Sequence, residues 1–326
     1  MIPRIVPLSV LLALSFGPSA SLAQDRWGGT GHSHITEGAV LHLPQPLRHF
    51  FQDNSVYIAA QAAIEPPSTH YIDIDYYPEF FAGTLPHSYS ALVAIYGVTV
   101  VEDNGVGPWN AGTYTTNLSS QMAAATTATA WSNLRATAGA LAHYVEDLHN
   151  PLHLTMDYNG QLSGHTGIHS RYESSMITRH LTSDLPITPA PDQCIYRPSI
   201  VDAIFDSIDV NYWYVDDIMA ADGLAKAADP GYHTTYYNVL WANTGTFTRV
   251  LFQDASEMVA SAWYTAWINA GAPLPLPAPS TIEMCAFCLS GPGVTRAPGC
   301  GTTDTDGDTD ADLRDVAQLQ VAQTGL

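Results

Sequence analysis

The chain has 326 residues, of which 46% are hydrophobic, so it is long enough for one large domain with appendages and can bury a core. Only 11 lysines and arginines stand against 31 acidic residues, which gives a formal net charge of −20. This balance argues against tight non-specific binding of nucleic acid, because no basic patch is present to neutralise a polyanion. An anionic substrate would need metal cations to hold it.

The N-terminal residues 1–23 have the pattern of a secretory signal peptide. Arg4 gives the positive start, residues 5–16 give the apolar centre, and residues 21–23 resemble a cleavage site. This run is too short to cross a bilayer, and no later stretch has the pattern of a transmembrane helix. We therefore expect a secreted, extracytoplasmic protein; a retained membrane anchor is the alternative interpretation of the same run.

The main part of the chain, from residue 27 to about residue 270, predicts an all-α fold, because Ala-rich and periodic apolar stretches dominate it. The predicted helices span residues 118–150, 169–181, 200–227 and 247–270. Residues 70–77 contain the aromatic and β-branched side chains typical of a strand, but we interpret them as an extended or turn segment between helices.

The composition changes at Gly271, so we predict a main domain over residues 24–270, a proline-rich linker over 271–283 and a tail over 284–326. Three cysteines lie in the tail and one lies far upstream; they are Cys285, Cys288, Cys300 and Cys194. A zinc ribbon needs paired cysteine spacings on both sides, and only one C-x-x-C pair is present. We therefore expect disulfides rather than a structural metal, with the pairing left open.

Two histidine–acid pairs have helical spacing: His143 with Asp147, and His169 with Glu173, each four residues apart and hence on one helix face. His153 follows a break at Asn150-Pro151, where the turned chain could bring it alongside Asp147. Zinc takes imidazole and carboxylate ligands. A single pair of this kind is as typical of a surface ion pair or a packed histidine, so the metal hypothesis depends on the combination.

The combined order of motifs is more specific than any one of them. In chain order the motifs are Trp27-Gly-x-x-Gly-His32, His70-Tyr-Ile-Asp73, His143-Tyr-x-x-Asp147-x5-His153 and His169-Ser-Arg-Tyr-Glu173. This order resembles the superfamily that joins bacterial zinc-dependent phospholipases C to fungal single-strand-specific nucleases. The similarity extends from Trp27 to about residue 270, and it implies a compact multi-helix domain with about three zinc ions in a cleft.

The resemblance implies the following ligand sets: the backbone amine and carbonyl of Trp27 with His32 and Asp147; His70 with His143 and Asp147; and His153 with His169 and Glu173. Asp147 would then bridge two ions and belong to the catalytic centre. If the signal is cleaved after Ala23, three residues precede Trp27, which then has no free amine. Either cleavage or trimming occurs later, or the first site is incomplete and Trp27 only packs.

One family carboxylate, upstream of the residue that matches His70, has no direct counterpart here. The stretch is shortened to residues 65–69, and we assign Glu65 to this role of ligand and catalytic base, with Asp53 as the reserve. Tyr71 and Asp73 follow His70 where the nuclease branch binds a base, so both are candidate substrate-binding residues; structural packing is the alternative.

The remaining histidines near the motifs are assigned minor roles. Surface or capping roles are expected for His34, His42 and His49 on the first helical stretch. His149 and His165 lie close to the ligand segments, where they could hold a carboxylate or touch a phosphate.

The resemblance implies a zinc-dependent hydrolase of phosphate esters. The His-Ser-x-Tyr-Glu motif of this chain resembles the corresponding motif of the phospholipase branch, whereas its Trp-Gly-x-x-Gly-His motif resembles that of the nuclease branch. We expect phospholipase C-like hydrolysis of a phospholipid headgroup ester. The alternative is a nuclease or nucleotidase acting on single-stranded DNA or RNA.

The acidic tail predicts a different class of function. Its aspartates occupy positions 1, 3, 5, 7, 9 and 12 of a calcium loop: Asp304, Asp306, Asp308, Asp310, Asp312 and Asp315. The loop departs from the usual pattern at Thr309, where glycine is preferred, and at Asp315, where glutamate is common. It resembles one half of a dockerin-type repeat, which implies calcium and a surface or cohesin-like partner. A second alternative is thus a calcium-dependent anchoring module with an inactive helical domain; a solvated acidic tail is the simplest interpretation.

Overall fold

The computed structural model describes residues 28–66, 69–190, 194–276, 288–296 and 300–324. The predicted signal peptide, Trp27 and Cys285 lie outside the described residues, as does most of the predicted linker.

Regular structure in these described ranges is helical and contains no strand, which confirms the prediction of an all-α fold. The α-helices are α1 Gly28–Val40, α2 Leu47–Asp53, α3 Ser55–Ala62, α4 Pro78–Phe81, α5 Tyr89–Tyr96, α6 Val98–Asp103, α7 Gly107–Ala124, α8 Ala128–Asn133, α9 Arg135–Asp147, α10 Ile168–Ser170, α11 Ile177–Asp184, α12 Ile200–Asn211, α13 Tyr214–Ala228, α14 Thr234–Asn269 and α15 Leu313–Thr324. Short 3-10 turns lie at Ile74–Tyr76, Pro151–His153 and Gly301–Thr303, and a π-helical stretch, Arg171–Met176, joins α10 to α11. Of the helices described, none is both long and apolar enough to cross a membrane.

The predicted single helix over residues 118–150 is wrong, because the chain breaks twice between α7 and α9. The hydroxyl of Thr127 accepts a hydrogen bond from the backbone N–H of Ala130 at 3.2 Å and so caps the start of α8. The buried Trp131 donates its indole N–H to the carbonyl of Ala125, also at 3.2 Å. These two bonds stabilise a turn in a stretch whose Ala and Thr content favours a continuous helix.

The predicted helix over 200–227 is also divided, into α12 and α13, where Tyr212 turns to pack edge-on against Phe80 with ring centroids 5.0 Å apart. The helix predicted over 247–270 is the C-terminal part of the longer α14. The helix predicted over 169–181 is confirmed, although its first turns are π-helical.

The core lies around α14, which packs against α1, α7, α9 and α13. Helix α9 is held between α3 and α7, and its contact with α3 depends on Gly139. A Cβ at this position would lie 2.4 Å from the Cβ of Gln61 and 2.7 Å from the carbonyl oxygen of Ile58. The close approach places the carbonyl of Ala62 2.7 Å from Nδ1 of His143.

The segment over residues 70–77 is extended with one 3-10 turn, as predicted, and it lies beside the chain that follows α9. The backbone N–H of Ile72 donates to the carbonyl of His153 at 3.0 Å, and that of Ile74 donates to Leu154 at 3.2 Å. The break at Asn150 is capped by its own side chain, which accepts from the N–H of Leu152 at 3.1 Å. These bonds bring His70 and His153 together at the end of α9.

In the tail, Cys288 and Cys300 form a disulfide, which confirms the prediction for one pair. The N–H of Ser290 donates to the carbonyl of Ala311 at 2.9 Å, so the cysteine segment and the acidic loop fold against each other. Cys194 is a free, partly buried thiol, and burial raises its pKa to about 12.

Candidate metal centre

Asp147 lies at the centre of a histidine cluster. Its carboxylate is fully buried at the C-terminal end of α9. Two imidazole nitrogens lie near its Oδ2, His143 Nε2 at 2.9 Å and His70 Nδ1 at 3.2 Å. Two more lie near its Oδ1, His32 Nε2 at 3.4 Å and His153 Nε2 at 3.7 Å. Residues from α1, the extended segment, α9 and the turn after it therefore converge on one carboxylate.

A second buried carboxylate, Glu173, extends the cluster. Its Oε1 is 3.2 Å from His169 Nε2, and its Oε2 is 3.3 Å from His153 Nε2. The side-chain amide of Asn150 donates to the same Oε2 at 2.9 Å. His153 therefore lies between Glu173 and Asp147 and connects the two halves of the cluster.

Three of the imidazoles share one arrangement, in which Nδ1 faces an oxygen acceptor and Nε2 faces a cluster carboxylate. Nδ1 lies 2.7 Å from the carbonyl of Ala62 in His143 and 3.1 Å from the carbonyl of Tyr158 in His169. In His32 the acceptor is a carboxylate oxygen of Glu146 at 2.5 Å. A neutral ring that donates from Nδ1 presents a lone pair at Nε2, which is the arrangement of metal-ligating histidines.

Lone pairs that face one another in a buried site repel, and either a shared proton or a metal cation between them removes that repulsion. Both carboxylate oxygens of Asp147, Nε2 of His32 and Oε1 of Glu173 are buried and make no hydrogen bond within the described residues. A buried polar atom without a partner costs about 1–3 kcal/mol. Two ligands at zinc bond lengths in tetrahedral directions lie about 3.3 Å apart, and the contacts of 2.9–3.7 Å around Asp147 are of that size.

The cluster contains at least four groups of three residues that could each hold a metal ion, because within each group the ligand atoms lie within 4.8 Å of one another. They are His32, His143 and Asp147; Glu65, His70 and His143; His70, Asp147 and His153; and His153, His169 and Glu173. These groups are mostly buried and are close enough to bind metal ions. Every predicted ligand within the described residues belongs to one of them.

The charges of the two carboxylates suit this role. Burial alone would raise the pKa of Asp147, but the imidazoles of His153 and His143 hold it well below its usual range. For Glu173, burial is likewise outweighed, chiefly by His169, and the pKa falls to about 2. Burial lowers the pKa of His32, but Asp147 and Glu146 together raise it to about 9, so without a metal this ring carries a proton that a bound ion would displace. Both carboxylates are therefore ionised at neutral pH, which is the form that binds a metal.

The carboxylate beside His70 is Glu65, not Asp53. Glu65 Oε1 lies 3.4 Å from His70 Nδ1, with half of the glutamate side chain exposed. The reserve candidate Asp53 is 59% exposed on α2 and pairs with His49 one turn away at 3.5 Å. The shortened stretch before His70 therefore still supplies a carboxylate to the cluster.

A cavity of about 430 Å³ opens beside the cluster. Its wall includes three cluster histidines, both predicted substrate-binding residues and two further polar residues: His70, His153, His169, Tyr71, Asp73, Tyr158 and Asn159. Burial, with a contribution from Asp75, raises the pKa of Asp73 to about 6. A small substrate in this cavity would touch metal ligands, aromatic rings and a carboxylate at once.

The other histidines have structural roles. His34 Nε2 contacts the carbonyl of Leu185 at 2.6 Å. The expected surface or capping role of His42 is wrong, because the ring is fully buried and contacts Ser256 Oγ at 3.0 Å. His149 donates to the carbonyl of its own helical turn, and burial lowers its pKa to about 4.

His165 does hold a carboxylate, but that carboxylate is not one of the cluster. Its Nδ1 lies 2.7 Å from the buried Asp222, which also pairs with Arg171 at 3.0 Å and Lys226 at 2.7 Å. This second network joins α13 to the π-helical stretch that carries Glu173.

Glu146, Asn150 and Asp222 are not among the site residues predicted from the sequence. Asn150 is predicted only to break the helix, and Glu146 occupies an unassigned position of the His143 motif. An acidic residue among the apolar positions of α9 was the one available signal for Glu146, which is as completely buried as Asp147.

The tail forms a separate acidic group. Carboxylate oxygens of Asp304, Asp306 and Asp315 lie within 4.8 Å of one another. Asp315 Oδ1 accepts from the N–H of Thr305 at 2.6 Å, and Asp304 pairs closely with Arg296.

Two other predicted calcium ligands make different contacts, Asp308 within a turn of the loop and Asp310 with the cysteine segment. Oδ1 of Asp308 accepts from the N–H of Asp310, and Oδ2 of Asp310 accepts from the N–H of Gly293. Thr309 has a φ of 81°, which is in the left-handed region. A calcium loop prefers glycine at this position because glycine adopts that conformation without strain.

A scan against protein-family models finds no match for this chain, and a search of curated proteins finds no significant match. Support for a function therefore comes from the residues and their geometry.

Proposed function

We propose that this chain is a secreted zinc-dependent phosphodiesterase that cleaves the headgroup ester of phospholipids in the manner of a phospholipase C. The observation that carries the proposal is the convergence of four imidazoles on the buried Asp147 beside an open cavity. The motif order over residues 27–173 supports the same class of enzyme.

About three zinc ions would be held by the groups described above, with Asp147 shared between two of them. When bound, zinc supplies a water of pKa about 7 and neutralises phosphoryl oxygens. This chemistry also explains how a chain with a formal charge of −20 could hold a phosphate ester.

The chain's own residues would position the substrate and move protons. Glu65 is half exposed beside His70, so its carboxylate can accept a proton from the attacking water. Asp147 and Glu173 hold the imidazoles in place from a buried position where their negative charge is not screened by solvent.

The cavity wall favours a small cationic headgroup over a polyanion. Tyr71 and Tyr158 present aromatic rings beside the carboxylate of Asp73, an arrangement that suits a quaternary ammonium group. The same rings could stack on a base, which is the nuclease alternative. The acidic surface, however, repels a long nucleic acid.

The test compares both substrates on the zinc-loaded, secreted protein. We expect kcat/KM for short-chain phosphatidylcholine, followed as phosphocholine release, to exceed that for a single-stranded DNA oligonucleotide by at least about tenfold, which is 1.36 kcal/mol of transition-state discrimination. The reverse ratio would assign the chain to the nuclease branch. No hydrolysis of either substrate by a protein that holds zinc would contradict the proposal.

For the tail, we propose calcium binding by a dockerin-like half repeat that attaches the enzyme to a surface or to a cohesin-like partner. Support comes from Asp304, Asp306 and Asp315, whose oxygens lie close together where the acidic loop meets the first turn of α15. We expect the full chain to bind calcium with a dissociation constant of about 10⁻⁴ M, typical of extracellular modules.

Isothermal titration of the zinc-loaded chain with calcium measures this affinity. Asp315→Asn should remove the heat of binding and leave hydrolysis unchanged, whereas Asp202→Asn, at an exposed position of α12, should change neither. Unchanged calcium affinity in Asp315→Asn would refute the assignment. Calcium binding by a chain that holds no zinc and hydrolyses nothing would instead support the anchoring module with an inactive helical domain.

A further inference from the structure

A buried acid–histidine contact lies behind His32, at the ring nitrogen that does not face Asp147. Glu146 is fully buried next to the end of α9. Its Oε2 lies 2.5 Å from His32 Nδ1, and its Oε1 accepts a hydrogen bond from Thr36 Oγ1 at 2.7 Å. His32 and Thr36 are one turn apart on α1, so this carboxylate joins α9 to α1 at two points.

These contacts determine which nitrogen of His32 is available to a ligand. A carboxylate at Nδ1 favours a hydrogen on that atom, so in the neutral ring, which is the form that binds a metal, the lone pair is on Nε2. Nε2 is buried, makes no hydrogen bond within the described residues and lies 3.4 Å from Asp147 Oδ1. The ring also stacks on His143, with centroids 4.3 Å apart and planes 13° apart. Stacking restrains the plane of the ring. The contact with Glu146 selects, of the two orientations related by a 180° flip of that plane, the one that directs Nδ1 toward Glu146.

We propose that Glu146 is a positioning residue for metal binding. It holds His32 as the Nδ1–H tautomer and aims Nε2 at the group formed by His32, His143 and Asp147. A carboxylate behind a histidine also makes the imidazole a stronger ligand. The inference depends on the metal centre of the proposed function, but not on which ester that centre cleaves.

A purely structural role predicts a different pattern of effects. Burying a carboxylate is costly, and contacts with polar neighbours often give little net stability in return. If Glu146 served only to join α9 to α1, removing either contact would lower thermal stability and leave the metal sites intact. If it positions His32, the contact with His32 matters for the metal and the contact with Thr36 matters far less.

The test uses two measurements on the full chain. Competition with a chromophoric chelator gives the zinc affinity, and the visible absorption spectrum after replacement of zinc by cobalt(II) reports the ligands around the metal. Glu146→Gln keeps the shape and removes the charge. We expect it to weaken one bound ion by about 10–100-fold and to change the cobalt spectrum. Thr36→Val is the matched control, which removes the hydrogen bond from Thr36 to the same carboxylate. We expect it to change zinc affinity less than about threefold and to leave the spectrum unaltered.

Equal losses of affinity in the two variants, or unchanged affinity and spectrum in Glu146→Gln, would overturn the proposal. If Glu146→Gln does not fold, long-range ¹H–¹⁵N correlation spectra of the zinc-loaded wild-type protein decide instead. They should show the hydrogen of His32 on Nδ1, and a hydrogen on Nε2 would refute the assignment. Zinc binding by a protein that cleaves neither lipid nor DNA would remove the proposed function alone, whereas a wild-type chain that binds no zinc would remove both.

Discussion

Replacing Asp147 with asparagine is expected to remove two of the bound zinc ions and to lower kcat/KM by more than about a hundredfold. Substituting a residue that only supports a metal ligand typically costs about 10–100-fold in metal affinity or activity. Asp147 would itself be a ligand, because it belongs to two of the groups that could hold an ion, one with His32 and His143 and one with His70 and His153. Asparagine has the same shape but carries no charge, so the four imidazoles lose the anion on which they converge. Elemental analysis of zinc per chain and initial rates on phosphatidylcholine measure the two effects.

The matched control is Asp53→Asn, which makes the same chemical change at a position that is 59% exposed on α2. We expect it to leave both zinc content and activity within about twofold of the wild type, because exposed ion pairs contribute little. It also tests the reserve assignment of Asp53 as a ligand. Full zinc content in Asp147→Asn would show that the cluster is a buried ion-pair network and not a metal centre.

Removing the metal is expected to produce the largest change in stability. An ion present at a thousand times its dissociation constant stabilises the native state by about 4.1 kcal/mol. In a domain of this size, each kcal/mol shifts Tm by about 2–4 °C, so the loss of one zinc should lower Tm by about 8–16 °C and the loss of more should lower it further. The physical reason is that both oxygens of Asp147 and Oε1 of Glu173 are left buried, without a hydrogen bond from any described residue.

Differential scanning calorimetry before and after treatment with a zinc-selective chelator measures this shift, and added zinc should restore the original Tm. The variant Asp315→Asn, scanned in parallel, separates any contribution of calcium in the tail. A Tm that stays constant while elemental analysis shows that zinc has been removed would contradict the prediction.

The local half of the candidate site could be predicted from spacing. His143 with Asp147 and His169 with Glu173 each lie one helical turn apart, and both pairs lie in helical structure at 2.9 Å and 3.2 Å. The turn after Asn150 was predicted from its proline, and it does bring His153 back to the cluster.

Other features depend on long-range packing, which local patterns do not contain. The approach of His32 and His70 to α9 was expected only from the resemblance in motif order. The contact between Glu146 and His32 was not predicted, because it joins two helices that are far apart in the sequence. Adjacent residues on a helix point about 100° apart, so Asp147 and Glu146 contact different nitrogens of the His32 ring. The breaks around α8 were missed because one capping hydroxyl and one buried indole outweigh the helix propensity of an Ala-rich stretch.

The separation of the ligands along the chain has a consequence for the order of events in folding. The described cluster draws its side chains from residues as far apart as His32 and Glu173. Closing loops of this length costs conformational entropy, and the packing of α1, α3 and α9 against one another already brings His32 close to His143. We therefore expect the packing of the helices to assemble the cluster, so that zinc would bind to a domain that has already folded.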